Sequence, residues 1–193
     1  MTKATPSVVV VIPARFGSSR FPGKPLVMLG RKPMIQHVYE QAAACRAVTE
    51  VLVATDDERI KQAVERFGGH AVMIAGDYRT GTDRVAGVAR MFDGDYFVNL
   101  QGDEISLQPD LLADLIDPFI KSGVGMGTLK RTMDSTEDVH NPSVVKVSRT
   151  SSATPCIFPA PRFRWCGTTP AAGPSEGCIT STSVCTCTGA TSC

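Results

Sequence analysis

The sequence predicts an α/β fold organised around a mostly parallel sheet, and three observations lead there. Val8-Val9-Val10-Val11-Ile12 is an unbroken β-branched run, the mark of a strand buried on both faces. Short apolar segments then alternate with longer helix-like stretches to about residue 147, the pattern of successive βα units. Chemistry-bearing residues cluster directly after the apolar segments, where parallel sheets bind ligands beyond the carboxyl ends of their strands.

In chain order, the opening strand over 8–12 is followed by a helix over 33–46, a strand over 50–54 that ends before Asp56-Asp57, and a helix over 57–67. A strand over 71–74 leads through Thr80-Gly81-Thr82 into a helix over 82–92, with Thr82 able to cap it and Asp83 in its first turn. The strand over 95–100 ends at Gln101-Gly102-Asp103; a helix over 108–121 and strands over 124–130 and 143–147 complete the pattern. Asp56 and Asp57 read as helix caps and Cys45 as a buried or half-buried helix thiol. His37, His70 and His140 lack metal-ligand spacing and read as ordinary residues.

With 193 residues, 42% of them hydrophobic, the chain can bury one sizeable core, and a net charge of +1 gives no reason to expect a nucleic-acid or acidic-membrane partner. No run approaches the roughly 18 apolar residues of a membrane span, and residues 1–7 do not resemble a leader, so a cytoplasmic protein is expected. Composition then changes: Cys45 is alone in the first 155 residues, whereas Cys156, Cys166, Cys178, Cys185, Cys187 and Cys193 crowd the rest. Residues 168–193 are mostly Thr, Ser, Gly, Ala and Cys with no apolar stripe. The expected organisation is an α/β domain over 1–147 and an aberrant, poorly structured tail over 148–193. A zinc site or disulfide scaffold in the tail fits poorly, because no Cys-x-x-Cys pair and no His after His140 is present.

The loop after the first strand, Pro13-Ala14-Arg15-Phe16-Gly17-Ser18-Ser19-Arg20-Phe21-Pro22-Gly23-Lys24-Pro25, combines glycines for close backbone approach with three cations. A polyphosphate is its natural guest. It is not the Walker-type loop, since Pro25 rather than Ser or Thr follows Gly23-Lys24; nor is it the dinucleotide fingerprint, which Pro22 and Pro25 interrupt.

This loop resembles the nucleotide-binding signature of the sugar-acid cytidylyltransferases, and more closely that of the 3-deoxy-D-manno-octulosonate (KDO) cytidylyltransferases. The resemblance continues through Gly30–Val38, Ala54–Ile60, Arg79–Arg84, Val98–Glu104 and Asn141–Val147. It implies a three-layer, Rossmann-like fold of the nucleotide-diphospho-sugar transferase type, incomplete at the carboxyl end. It also implies transfer of CMP from CTP to KDO with release of pyrophosphate, a step of lipopolysaccharide biosynthesis. Arg15, Lys24 and Asp103 would be catalytic. Asp103, a hard oxygen ligand at a strand end, would hold magnesium, with Glu104 as a helix-entry acid or a group behind that ligand. Ala14, Arg15, Gly17, Ser18, Arg20, Lys24, Thr80, Gly81, Thr82 and Gln101 would line the nucleotide pocket. Members of the family are homodimers. Ile105 departs from the proline that usually follows the Gly-Asp-Glu of the family. Transfer to acylneuraminate or another sugar remains open, as does an inactive nucleotide-binding remnant.

The tail also reads as a shifted frame. Val184–Cys193 can be encoded so that skipping two bases yields L-Y-V-Y-R-R-D-F-L, and the same skip over Cys178–Val184 yields H-H-L-H-I-G. Applied from Pro155, it yields L-Y-F-S-R-A-P-I-P-L-V-R. The first two join as H-H-L-H-I-G-L-Y-V-Y-R-R-D-F-L, and this string and the one from Pro155 resemble segments that follow the Asn-Pro-x-x-Val-Lys-Val block in KDO cytidylyltransferases. In the frame as it stands, the family's His-x-Gly-x-Tyr sugar-acid site and its second metal-binding Asp have no counterpart.

Overall fold

The computed structural model describes residues 5–17, 21–76, 78, 80–122, 125–129, 146–149, 155–158 and 185–188. The chain divides into two compact units, Met1–Thr128 with Ser183–Cys193, and Leu129–Thr182.

The first unit is a six-stranded sheet flanked by helices. Its elements are β1 (Val8–Ala14), a 3-10 turn (Lys24–Leu26), β2 (Met28–Leu29), β3 (Lys32–Pro33), α1 (Met34–Ala43), β4 (Glu50–Thr55), α2 (Glu58–Arg66), β5 (His70–Met73), α3 (Gly81–Ala89), β6 (Tyr96–Asn99), α4 (Pro109–Ser122) and β7 (Met126–Thr128). In the second unit, β8 (Lys146–Arg149) and β9 (Pro155–Phe158) form an antiparallel pair; the last strand, β10 (Cys185–Thr188), belongs to the first unit.

The sheet order is β5-β4-β1-β6-β10-β7, with β5, β4, β1 and β6 mutually parallel. The chain leaves β1 toward β4 and β5 on one side and returns to β6 on the other. The crevice between the carboxyl ends of β1 and β6 is therefore the switch point at which open parallel sheets bind ligands. Val11 pairs with Asn99 there, and Leu100 N donates to Val11 O at 3.0 Å.

Alternation along β1 divides the core between two faces. Val9 and Val11 pack with Leu52, Ala54, Val72, Ile74 and Phe97 beneath Val85 and Val88 of α3. Facing the other way, Ile12 borders Gly102 together with Ile35 of α1, and Val38, Leu112 and Ile116 of the helices are also buried. The parallel α/β architecture and the order of helices and strands through α4 agree with the sequence reading.

Three local readings are corrected. Thr80, not Thr82, caps α3: its hydroxyl accepts from Asp83 N at 3.1 Å while Asp83 Oδ2 accepts from Thr80 N at 2.9 Å, a reciprocal box that begins the helix one residue earlier. Glu104 lies ahead of α4 rather than at its entry and accepts from Ser106 Oγ at 2.9 Å. Cys45 is buried, but beyond the end of α1, and burial raises its thiol pKa. Within the segment read as an aberrant, poorly structured tail, the described residues include the end of β8 and two further strands, β9 and β10. The reason for β10 is the ladder: it pairs antiparallel with both β6 and β7, and backbone amides can fill such a gap whatever the side chains.

Candidate functional site

The loop after β1 is shaped by a few backbone contacts. Gly23 N donates to Phe16 O at 2.8 Å, folding the loop back on itself, and Gly23 has φ 72°, a left-handed value natural to glycine. A Cβ at Gly23 would also stand 3.0 Å from the Phe16 ring. Lys24-Pro25-Leu26 follows as the 3-10 turn, with Pro25 buried as its anchor. Arg59 of α2 stacks on the loop through Phe16, its guanidinium carbon 3.3 Å from the ring centroid.

Lys24 is thereby aimed across the crevice. Its ammonium donates to Asp103 Oδ2 at 2.5 Å, joining the loop after β1 to the loop after β6. Both side chains are about half exposed, so the pair is open to an incoming ligand. A half-exposed carboxylate is a hard oxygen ligand of the kind a divalent ion takes one or two of, completing its shell with water and phosphate oxygens. Among the described residues no group of three or more His, Cys, Asp or Glu could hold a metal unaided.

A second cluster lies beside this pair. Gln101 Nε2 donates to Asn99 Oδ1 at 3.3 Å, and Asn99 Nδ2 donates to Thr82 Oγ1 at 3.4 Å. Gly81 begins α3 where a Cβ would meet Pro13 Cγ at 3.2 Å and Gln101 Nε2 at 3.6 Å, so the missing side chain lets the helix start close against both. Behind the cluster, buried Arg84 donates to Asp56 Oδ2 at 2.7 Å, tying α3 to the end of β4. Asp57 caps α2 through Arg59 N, and the Arg59 guanidinium holds its carboxyl below the usual carboxylate range.

The candidates named from sequence thus fall into five groups. Lys24 and Asp103 are in contact, while Gln101, Gly81 and Thr82 converge through Asn99. Ala14 is buried at the end of β1; Arg15 and Gly17 are exposed, and Arg15 makes no ion pair among the described residues. Thr80 spends its hydroxyl on the cap of α3. Ser18 and Arg20 lie outside the described residues. Sequence reasoning assigned no role to Asn99, although an amide closing the apolar run Tyr96-Phe97-Val98 was the available signal.

Comparison with known proteins gives one answer. A family model described as Cytidylyltransferase matches residues 9–155. The 3-deoxy-manno-octulosonate cytidylyltransferase of Trichlorobacter lovleyi is 47% identical over 161 residues, covering 81% of this chain and 64% of the relative. That of Geobacter sulfurreducens is 49% identical over 142 residues, covering 73% of this chain and 57% of the relative. The solved structure of a CMP:2-keto-3-deoxy-manno-octonic acid synthetase complexed with CTP aligns over 94% of this chain and 74% of its own, with 36% identity and a TM-score of 0.81. This chain therefore spans somewhat less than two thirds of the length of those two curated relatives.

Proposed function

Because the chain belongs to the cytidylyltransferase family, among the 3-deoxy-manno-octulosonate cytidylyltransferases, we propose that it binds CTP and transfers CMP to KDO, releasing pyrophosphate. The observation that carries this reading is the contact of Lys24 with Asp103 at the carboxyl ends of β1 and β6. It puts a phosphate-seeking cation and a metal-seeking carboxylate at one point, in the crevice where this type of sheet receives ligands.

In the proposed reaction the anomeric hydroxyl of KDO attacks the α-phosphorus of CTP, and the bond to the pyrophosphate oxygen breaks. Lys24 and Arg15 hold the phosphates and stabilise the charge that builds on the leaving group. Gln101, with the start of α3, receives the base. Asp103 is the residue that would hold magnesium, which when bound supplies Lewis-acid stabilisation of the triphosphate. No covalent intermediate on the protein is needed. The use of CTP makes the cytoplasm the expected compartment.

The deciding experiment is magnesium-dependent pyrophosphate release from CTP and KDO, with acylneuraminate as the alternative acceptor. Release with KDO supports the reading; release with acylneuraminate alone replaces the acceptor. CTP binding without turnover by this chain, and turnover once the tail is restored to the shifted frame, identifies the present chain as a nucleotide-binding remnant. The Cys-Thr composition of the tail favours that second reading.

A further inference from the structure

We propose that Asn99 is a positioning residue for nucleotide selection. It holds the Gln101 amide so that its carbonyl oxygen is offered to the base, favouring a pyrimidine with an exocyclic amine over one with a carbonyl at the same place. The inference rests on the CTP reading above and names a determinant within that site.

Asn99 is 2% exposed, at the end of a strand whose other members are aromatic or aliphatic. A buried amide costs stability unless its donors and acceptors are paired. Its two ends are engaged by residues from different elements: Nδ2 donates to Thr82 in the first turn of α3, and Oδ1 accepts from Gln101 in the loop after β6.

The consequence falls on Gln101. Its amide is planar, so committing Nε2 to Asn99 turns Oε1 to the opposite side, where it accepts no hydrogen bond among the described residues. Pro13 and the bare backbone of Gly81 border the same amide. An acceptor held in this sense pairs with the amino group of cytosine and faces the carbonyl of uracil with like polarity. Without Asn99 the amide can turn over and suit either base, so the preference resides in the residue behind Gln101 as much as in Gln101 itself.

The test is calorimetric binding of CTP and UTP, each with magnesium, to the 193-residue chain and to Asn99→Ala and Asn99→Asp, with thermal midpoints recorded for all three. The wild-type chain should prefer CTP by about tenfold or more, the scale of one well-placed hydrogen bond. Asn99→Ala should reduce the preference to within about threefold, with UTP gaining affinity as CTP loses it. Asn99→Asp, whose carboxyl still accepts from Gln101 Nε2, should keep the preference; if Asn99→Ala does not fold, loss of preference in Asn99→Asp overturns the proposal. Equal preference in wild type and Asn99→Ala overturns the role of Asn99 alone. A wild-type chain that binds neither nucleotide, or both equally, overturns the CTP reading beneath it.

Discussion

β1 and β10 occupy equivalent places in one sheet, each hydrogen-bonded to a strand on both sides, yet they are built from opposite materials. β1 is Val-Val-Val-Val-Ile-Pro-Ala and is buried along nearly its whole length; β10 is Cys-Thr-Cys-Thr. The contrast separates two contributions to a strand. A ladder accepts any segment that can present amides and carbonyls, whereas side chains decide whether the strand also adds apolar burial. The two-base shift that turns residues 184–188 into Leu-Tyr-Val-Tyr falls on β10, and the one that yields Leu-Tyr-Phe-Ser from Pro155 falls on β9. Two strands of the structure thus coincide with two segments that become apolar when the frame is moved.

The largest expected effect comes from restoring that frame. Burying two or more of the new Leu, Tyr, Val and Tyr side chains adds about 1.5–3 kcal/mol each, so unfolding in denaturant should shift by about 3–6 kcal/mol. An unchanged midpoint would break the contrast between the two strands. Next in size, Leu52→Ala on β4, buried at 0% exposure, should cost about 2–5 kcal/mol, while ending the chain before Ser183 should cost under about 1 kcal/mol. Equal losses in the same titration would mean that β10 contributes as much as the parallel strands.

Two smaller effects sharpen the account of the parallel half. Thr80→Ala removes the reciprocal cap of α3 and should cost about 1 kcal/mol in stability, with CTP affinity changed less than twofold because that hydroxyl faces the helix rather than the crevice. Asp57 titrates below its ordinary value in the folded chain because Arg59 pairs with it. A depressed folded pKa contributes stability above the unfolded value near 4, and that contribution is lost as pH falls through the lower folded value. Asp57→Asn, which keeps a capping oxygen but not the charge that pairs with Arg59, should therefore be less stable than wild type near pH 7, converge with it below about pH 4, and so show a shallower loss of midpoint as pH falls.

Most of the parallel half was legible because its strands are continuous apolar runs and its loops carry chemistry at the strand ends. The Val8–Ile12 run, Gln101-Gly102-Asp103 and the Lys24 loop each announced their place by composition. What was not legible depended on contacts between distant segments. The start of α3 was misplaced because Thr80 and Thr82 are equally able to cap, and only the reply of Asp83 to Thr80 decides between them. Lys24 and Asp103 are separated by 79 positions, so their pairing had no local signature. Asn99 went unassigned because an amide in an apolar run gives no hint of which neighbours will satisfy it. β10 was missed because nothing in Cys-Thr-Cys-Thr marks it as a strand; its position is set by the partners on either side.

The Lys24–Asp103 bridge makes the crevice its own counterion. A free dication approaching Asp103 meets an ammonium already seated there, and a bare triphosphate approaching Lys24 finds its charge engaged. A dication and a triphosphate arriving together give each half of the bridge a new partner at the same moment, so parting it leaves neither charge stranded. Under the proposed function, entry of the two ligands would thus be thermodynamically linked by a contact that contains neither of them.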